Sequence, residues 1–147
     1  MTHEIAISRI FNAPRKLVYQ AFVDPDQLAL WFGPVGASVP RDTVDIHPRV
    51  GGHMRFVMTL DEDPSFRNPI EATFTEVIEN ELLVAEMQAE GVPGVEGTLH
   101  CALRLEFHDE GVGKTRLELR QGPFAEEIGD QTKSGWESSF TKLDVLL

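Results

Sequence analysis

The sequence predicts an α+β protein in which a curved antiparallel sheet wraps around a long C-terminal helix, with two short helices after the first strand. Three observations predict it. The chain opens on an apolar, β-branched segment, HEIAISRIF at residues 3–11. Between Ala37 and Gln121 many apolar and polar residues alternate, in runs separated by short turns and loops, as strands of an antiparallel sheet do. The period then lengthens. Trp136, Phe140, Leu143 and Leu147 fall at i, i+4, i+7 and i+11, one stripe of an amphipathic helix. A sheet with one apolar face must be covered, and the terminal helix is the only predicted element large enough to cover it.

The segment NAPRKLVYQAFVDP reads as the first helix. Asn12 is placed to cap it, and Pro14 fits its first turn, where a missing N–H costs nothing. Leu17, Val18, Ala21 and Phe22 supply its apolar face. Asp24 can cap a second short helix with Pro25 at its first position. This helix runs through DQLALWF until Gly33-Pro34 stops it, and Leu28, Trp31 and Phe32 share one face. ASVPRDTVDIHP reads as a strand with a proline inside, hence a sheet edge or a bulge. Val50-Gly51-Gly52 is a turn.

HMRFVMTL sets Met54, Phe56, Met58 and Leu60 on one side. DEDPSFRNP reads as a loop, followed by strands in IEATFTEVI and ENELLVAEMQAE and a second loop in GVPGVEG. TLHCALRLEFHD sets Leu99, Cys101, Leu103, Leu105 and Phe107 to one face, EGVGK turns, and TRLELRQ returns with Leu117 and Leu119 inward. Helical periodicity resumes at about Phe124. Gly129 and Gly135 within it each cost about 1 kcal/mol against alanine, which predicts a late helix start, a kink or close approach to another backbone.

A length of 147 residues predicts one domain over 1–147. The net charge of −11 repels phosphate backbones and anionic membranes, so nucleic-acid partners are not expected. The single cysteine, Cys101, cannot form an internal disulfide, which fits a reducing cytoplasm. The N-terminus lacks the basic and apolar regions of a signal peptide. No apolar run approaches the 18 or so residues of a membrane span, so no membrane insertion is expected.

Polar groups able to do chemistry are few. Glu86 and Gln88 flank Met87 in a mixed strand, and one face of that strand must turn inward. An inward Glu86 would be desolvated, its pKa would rise, and it would serve as an acid or a hydrogen-bond anchor; an outward one is a solvated strand-face residue. No two histidines sit at helical ligand spacing, and His100 and Cys101 point to opposite sheet faces. No protein-built metal site and no cofactor are expected. Cys101 lies among apolar partners and reads as buried and inert. The serines lack a nucleophile-elbow context.

The order of elements, with four local segments, resembles the helix-grip domains of the START-like (SRPBCC) superfamily. These segments are NAPRKLVYQAFVDPDQLALWFGP, VGGHMRFVM, TRLELRQ and SGWESSFTKLDVLL. Within that superfamily they are most similar to the family named for the activator of the ninety-kilodalton heat-shock protein's ATPase. Two departures stand out: Phe32 stands where relatives often carry a second tryptophan, and DEDPSFRNP is longer than the usual connection. The resemblance implies a cavity between sheet and long helix, with Trp31 and Phe32 at its opening or plugging the core. Met54, Phe56, Met58, Phe74, Met87, Trp136 and Phe140 are then candidate walls, and Glu86 and Gln88 candidate polar contacts. The implied partner is a small hydrophobic molecule, lipid-like or polyketide-like. Two other functions are consistent with the resemblance: a cavity enzyme using an inward acid such as Glu86, and a co-chaperone-like interaction module. Homodimerisation is also consistent with it.

Overall fold

A computed structural model describes residues 2–147 of the chain. Strand β1 (Thr2–Phe11) leads into helix α1 (Arg15–Val23) and helix α2 (Pro25–Trp31). Two short strands, β2 (Ala37–Ser38) and β3 (Asp45–Ile46), flank a single 3-10 turn at Arg41–Thr43. The long strands β4 (His53–Leu60), β5 (Asp63–Ile78), β6 (Leu82–Ala89), β7 (Leu99–Asp109) and β8 (Thr115–Ala125) follow, and helix α3 (Glu126–Leu146) ends the chain. Every strand pairing is antiparallel. The sheet runs β1-β8-β7-β6-β5-β4-β2, with β3 also on β4. α3 packs on β1, β8 and α2, and α1 packs on α2 and β7. This is the helix-grip architecture expected from the alternation and the terminal stripe.

The grip is aromatic. Phe140 is fully buried in the middle of α3. Its ring meets Phe11 edge-on at 5.4 Å, stacks on Trp31 at 6.2 Å and lies 5.6 Å from Trp136. Such pairs each add about 0.5–1.5 kcal/mol beyond the area they bury. At Gly129 α3 faces β1 and the end of β8: a Cβ there would make ordinary contacts, 3.4 Å from Ile5 Cγ2 and 3.6 Å from Phe124 Cβ. Of the three readings of the helix glycines, a late start fails at Gly129, since the helix begins at Glu126, ahead of it, and close approach to another backbone fails too, since its neighbours are side chains.

The end of α1 is closed by α2. The last carbonyls of a helix have no partner within it. Asp24 N–H donates to the Gln20 carbonyl, and Trp31 Nε1 donates to the Ala21 carbonyl at 2.8 Å. Asp24 in turn accepts from Asp26 N–H at 2.9 Å and caps α2, with Pro25 at its first position as expected. Gly33 then takes φ +99°, where a side chain would be strained and its Cβ would lie 3.2 Å from Met58 Sδ.

Several expectations are corrected. Asn12 does not cap α1: Pro14 occupies the N-cap, and its carbonyl accepts from Leu17 and Val18 N–H. Leu17 is half exposed, and Val18, Tyr19, Ala21, Phe22 and Val23 form the buried face instead. The stretch 37–48 is interrupted because Pro40 precedes the 3-10 turn, leaving two short strands at the sheet edge. DEDPSFRNP is mostly strand. Pro69 pairs with Val57 and Asn68 with Met58, forming an arm beyond the end of β6. On the β6 side the arm outruns the paired residues, with the Pro69 carbonyl still accepting from Glu90 N–H at 2.9 Å, and a proline nitrogen facing that side interrupts no ladder. Phe124 is the last residue but one of β8, paired with His3, and does not begin the helix.

Trp31→Phe removes the Nε1 donor and leaves the Ala21 carbonyl unpaired in the core. The expected loss of stability is about 2–3 kcal/mol, measured by equilibrium urea unfolding. A loss under about 0.5 kcal/mol would show that this cap is dispensable.

Candidate functional site

Sheet and helix leave a cavity of about 330 Å³ between them. Its walls come from five places: the loop after α2, the β4–β5 arm, the inner face of β6, β7 and β8, the β6–β7 loop, and the face of α3 bearing Thr132, Gly135, Trp136 and Ser139. Phe32, Phe66, Phe124 and Trp136 form its aromatic lining, and Met58 and Met87 add thioethers. Leu60, 39% exposed, and the exposed Pro93 and Gln131 stand at its rim. The wall is low where residues are small, at Gly33, Ala37, Ala89 and Gly135. A Cβ added at Gly135 would meet nothing within 4 Å. The rim is tied to α3: Val35 N–H donates to Ser138 Oγ at 2.9 Å, and Lys142 Nζ donates to the Ala37 carbonyl at 3.2 Å and to that of Pro34 at 3.5 Å. Burial pushes the Lys142 ammonium below its ordinary pKa.

The apolar residues predicted for the site divide into three groups. Phe32, Met58, Met87 and Trp136 border the cavity. Met54, Phe56 and Phe74 border a separate void of about 20 Å³, which Phe32, Met87 and Trp136 also line from the other side. Phe32 and Trp136 meet edge to face at 5.4 Å, so this pair partitions the two spaces. Trp31 and Phe140 are fully buried and touch the cavity nowhere. They are core plugs.

Glu86 and Gln88 require correction. Both are exposed on the outer face of β6, while Leu83, Ala85 and Met87 point inward. Alternation forces this: once Met87 faces the core, its neighbours face solvent. Glu86 is therefore no cavity acid, and Gln88 is no cavity contact. A buried polar residue that does reach the wall is Gln121, 6% exposed and not among the residues predicted from sequence. Its Oε1 accepts from Trp136 Nε1 at 2.7 Å. Its position two residues after the inward Leu119 was the available signal. Asn68, Phe66, Val92, Pro93 and Thr132 also line the cavity and were also missed, since the segments holding the first four read as loops.

A second cluster lies at the sheet edge. Asp45 Oδ2 is 2.6 Å from His53 Nε2, and Asp45 Oδ1 is 3.2 Å from His47 Nε2. The His53 hydrogen bond, above all, holds the Asp45 carboxyl below its ordinary value. One ligand atom from each of the three residues lies within 4.8 Å of the other two, a donor set of the type that divalent transition metals accept. The β3–β4 hairpin brings the residues together, which helical spacing could not reveal.

A family model described as "Activator of Hsp90 ATPase homolog 1-like protein" matches residues 12–147. The chain belongs to this family. No curated protein matches it in sequence. Among solved structures it is similar to a protein of Chromobacterium violaceum, with TM-score 0.83 and 22% identity over 99% of this chain and 97% of that one. A family protein of Silicibacter pomeroyi aligns with TM-score 0.81 and 22% identity, covering 97% and 96% of the two chains. CalU16 of Micromonospora echinospora aligns with TM-score 0.68 and 22% identity, covering 98% of this chain and 75% of that one. At such identities the likeness establishes the fold, and function must be argued from the site. Among the described residues no helix is long and apolar enough to cross a membrane.

Cys101 borders the cavity, and burial pushes its thiol above the ordinary value of 9.0, partly opposed by a hydrogen bond from Gln121. The thiolate is the reactive form. Alkylation by iodoacetamide, followed against pH in the folded protein, is therefore expected to have its midpoint above 9.0. A midpoint at or below that value would show that the thiol is not desolvated.

Proposed function

We propose that this protein binds a small hydrophobic molecule in the cavity between the sheet and α3. One observation carries the reading: a space of about 330 Å³ lined by aromatic, aliphatic and methionine side chains, with no Lys, Arg, His, Asp or Glu among its described lining residues. Ligand sites are commonly concave, apolar and of about 300–1,000 Å³. An apolar space of that size is costly if it serves nothing. At about 24 cal/mol per Å³ a closed dry void of this volume would forfeit about 8 kcal/mol, comparable with the whole stability of a typical domain. Opening to solvent reduces that figure, and a bound ligand recovers part of it. The methionines suit a wall that adapts to more than one shape.

A catalytic function would need an acid, base or nucleophile at the wall. Glu86 lies on the opposite face of the sheet, and the Cys101 thiol is held in its neutral form by burial. Binding therefore has more support than catalysis.

The test uses N-phenyl-1-naphthylamine, a neutral apolar fluorophore, with the wild type and Gly135→Leu. The leucine grows from a helix position where a Cβ meets open space. Replacing a helix glycine gains up to about 1 kcal/mol of helix propensity, so the variant is expected to melt at or above the wild-type temperature. Its affinity for the probe is expected to fall at least about tenfold, a change of about 1.4 kcal/mol. Equal affinity in the two proteins would place the probe elsewhere and remove the reading.

A further inference from the structure

The polar groups along the cavity wall differ in what they donate to. Thr132 Oγ1 donates to the Ile128 carbonyl at 2.7 Å, and Ser139 Oγ to the Gly135 carbonyl at 2.8 Å. Asn68 Nδ2 donates to the Glu90 carbonyl, and Gln131 Nε2 to that of Pro93 at 3.4 Å. These four donors end on oxygen. Gln121 does not: its Nε2 has only Cys101 Sγ at 3.4 Å and Met87 Sδ at 3.5 Å. Both sulfurs are weak acceptors.

The orientation of this amide is settled by its other end. An indole N–H only donates. Trp136 Nε1 therefore requires the oxygen of Gln121 opposite it, at 2.7 Å, and the NH₂ must face the sulfurs. Gln121, Met87 and Cys101 all line the cavity. A glutamine only 6% exposed thus directs its NH₂, at the cavity wall, to two sulfurs and to no oxygen. Burying a polar group without a good partner is unfavourable.

We infer that the Gln121 carboxamide is a ligand anchor, and that the cavity takes a neutral, largely apolar molecule carrying one carbonyl-type hydrogen-bond acceptor. The inference rests on the cavity reading above and narrows it. An acceptor oxygen near Gln121 Nε2 replaces two poor sulfur contacts by one good hydrogen bond. A hydrocarbon cannot do this. A carboxylate could accept the bond but would enter a wall that has no cation among its described residues. Lys142 stands behind the rim, with its ammonium bonded to the Pro34 and Ala37 carbonyls. Moving an unpaired carboxylate out of water is far more costly than one neutral hydrogen bond repays.

Three ligands of one skeleton test it: 2-acetylnaphthalene, 2-ethylnaphthalene and 2-naphthoate. Affinities are read by isothermal titration calorimetry at neutral pH. The ketone is expected to bind at least about fivefold tighter than the hydrocarbon, the size of one net hydrogen bond, and the naphthoate weakest of the three. In Gln121→Leu the ketone is expected to lose that advantage while 2-ethylnaphthalene keeps its affinity. A readout on the wild type needs no variant. In ¹⁵N-edited spectra the Gln121 side-chain NH₂ signals are expected to move downfield with the ketone and not with the hydrocarbon. Equal binding of ketone and hydrocarbon overturns the anchor and leaves the cavity reading intact. So does a ketone preference that survives in Gln121→Leu. Tightest binding by naphthoate overturns the neutral ligand class. Failure of all three to bind overturns the cavity reading together with the anchor.

Discussion

Trp136 is the contact on which both the core and the cavity depend. One edge of its indole belongs to packing, 5.6 Å from Phe140 and 5.4 Å from Phe32. Its Nε1 belongs to the cavity wall, where it fixes the Gln121 amide. A buried tryptophan needs a partner for its N–H. Most often that is a backbone carbonyl, as for Trp31 on Ala21. Here it is a side chain from the sheet, so α3 and β8 are joined by a directional bond inside an otherwise apolar seam. That bond ties the sheet side of the cavity wall to the α3 face bearing Thr132, Gly135 and Ser139.

The two tryptophans divide the work of the fold. Trp31 completes α1 and stacks into the Phe22–Phe140 cluster, with no exposed surface. Phe32, the next residue along the chain, leaves that cluster and faces Phe56 at 4.6 Å and Trp136 at 5.4 Å. Gly33, with its positive φ, then turns the chain so that Pro34 and Ala37 become rim. Core plug and cavity wall are adjacent residues because the helix ends between them.

The architecture was legible because the apolar periods are clean where packing is two-sided. In β7 and β8 the inward set Cys101, Leu103, Leu105, Phe107, Leu117 and Leu119 follows the alternation without a break. The site was less legible, and the reasons are particular. Gln121 continues the inward register of Leu117 and Leu119, yet a glutamine at the end of a strand reads as solvent-facing. Glu86 looked placeable on either face because Ala85 carries too little apolar surface to mark its side, and only Met87 decides it. Phe66 and Asn68 lie in a segment whose prolines argue against a strand. That argument fails where a hairpin arm outruns its neighbour and no ladder is interrupted. Asp45, His47 and His53 meet across a hairpin whose exact register no local pattern announces.

Charge acts on ligand choice at two distances. The net charge of −11 makes the surroundings of the mouth unfavourable for anions, over a range limited by salt screening to about 8–10 Å. Inside, the wall offers no counter-ion, and low dielectric magnifies that lack. The outer effect slows the approach of an anion; the inner one decides whether it stays. Neutral molecules escape both. Among neutral molecules apolar contact alone discriminates poorly, about 1–3 kcal/mol per methylene-sized difference in shape, and methionine walls soften even that. A single directed donor discriminates by chemistry instead. With Gln121 locked by Trp136, its amide needs no reorganisation when an acceptor arrives, so the selectivity of the cavity rests on a bond that the packing of α3 has already oriented.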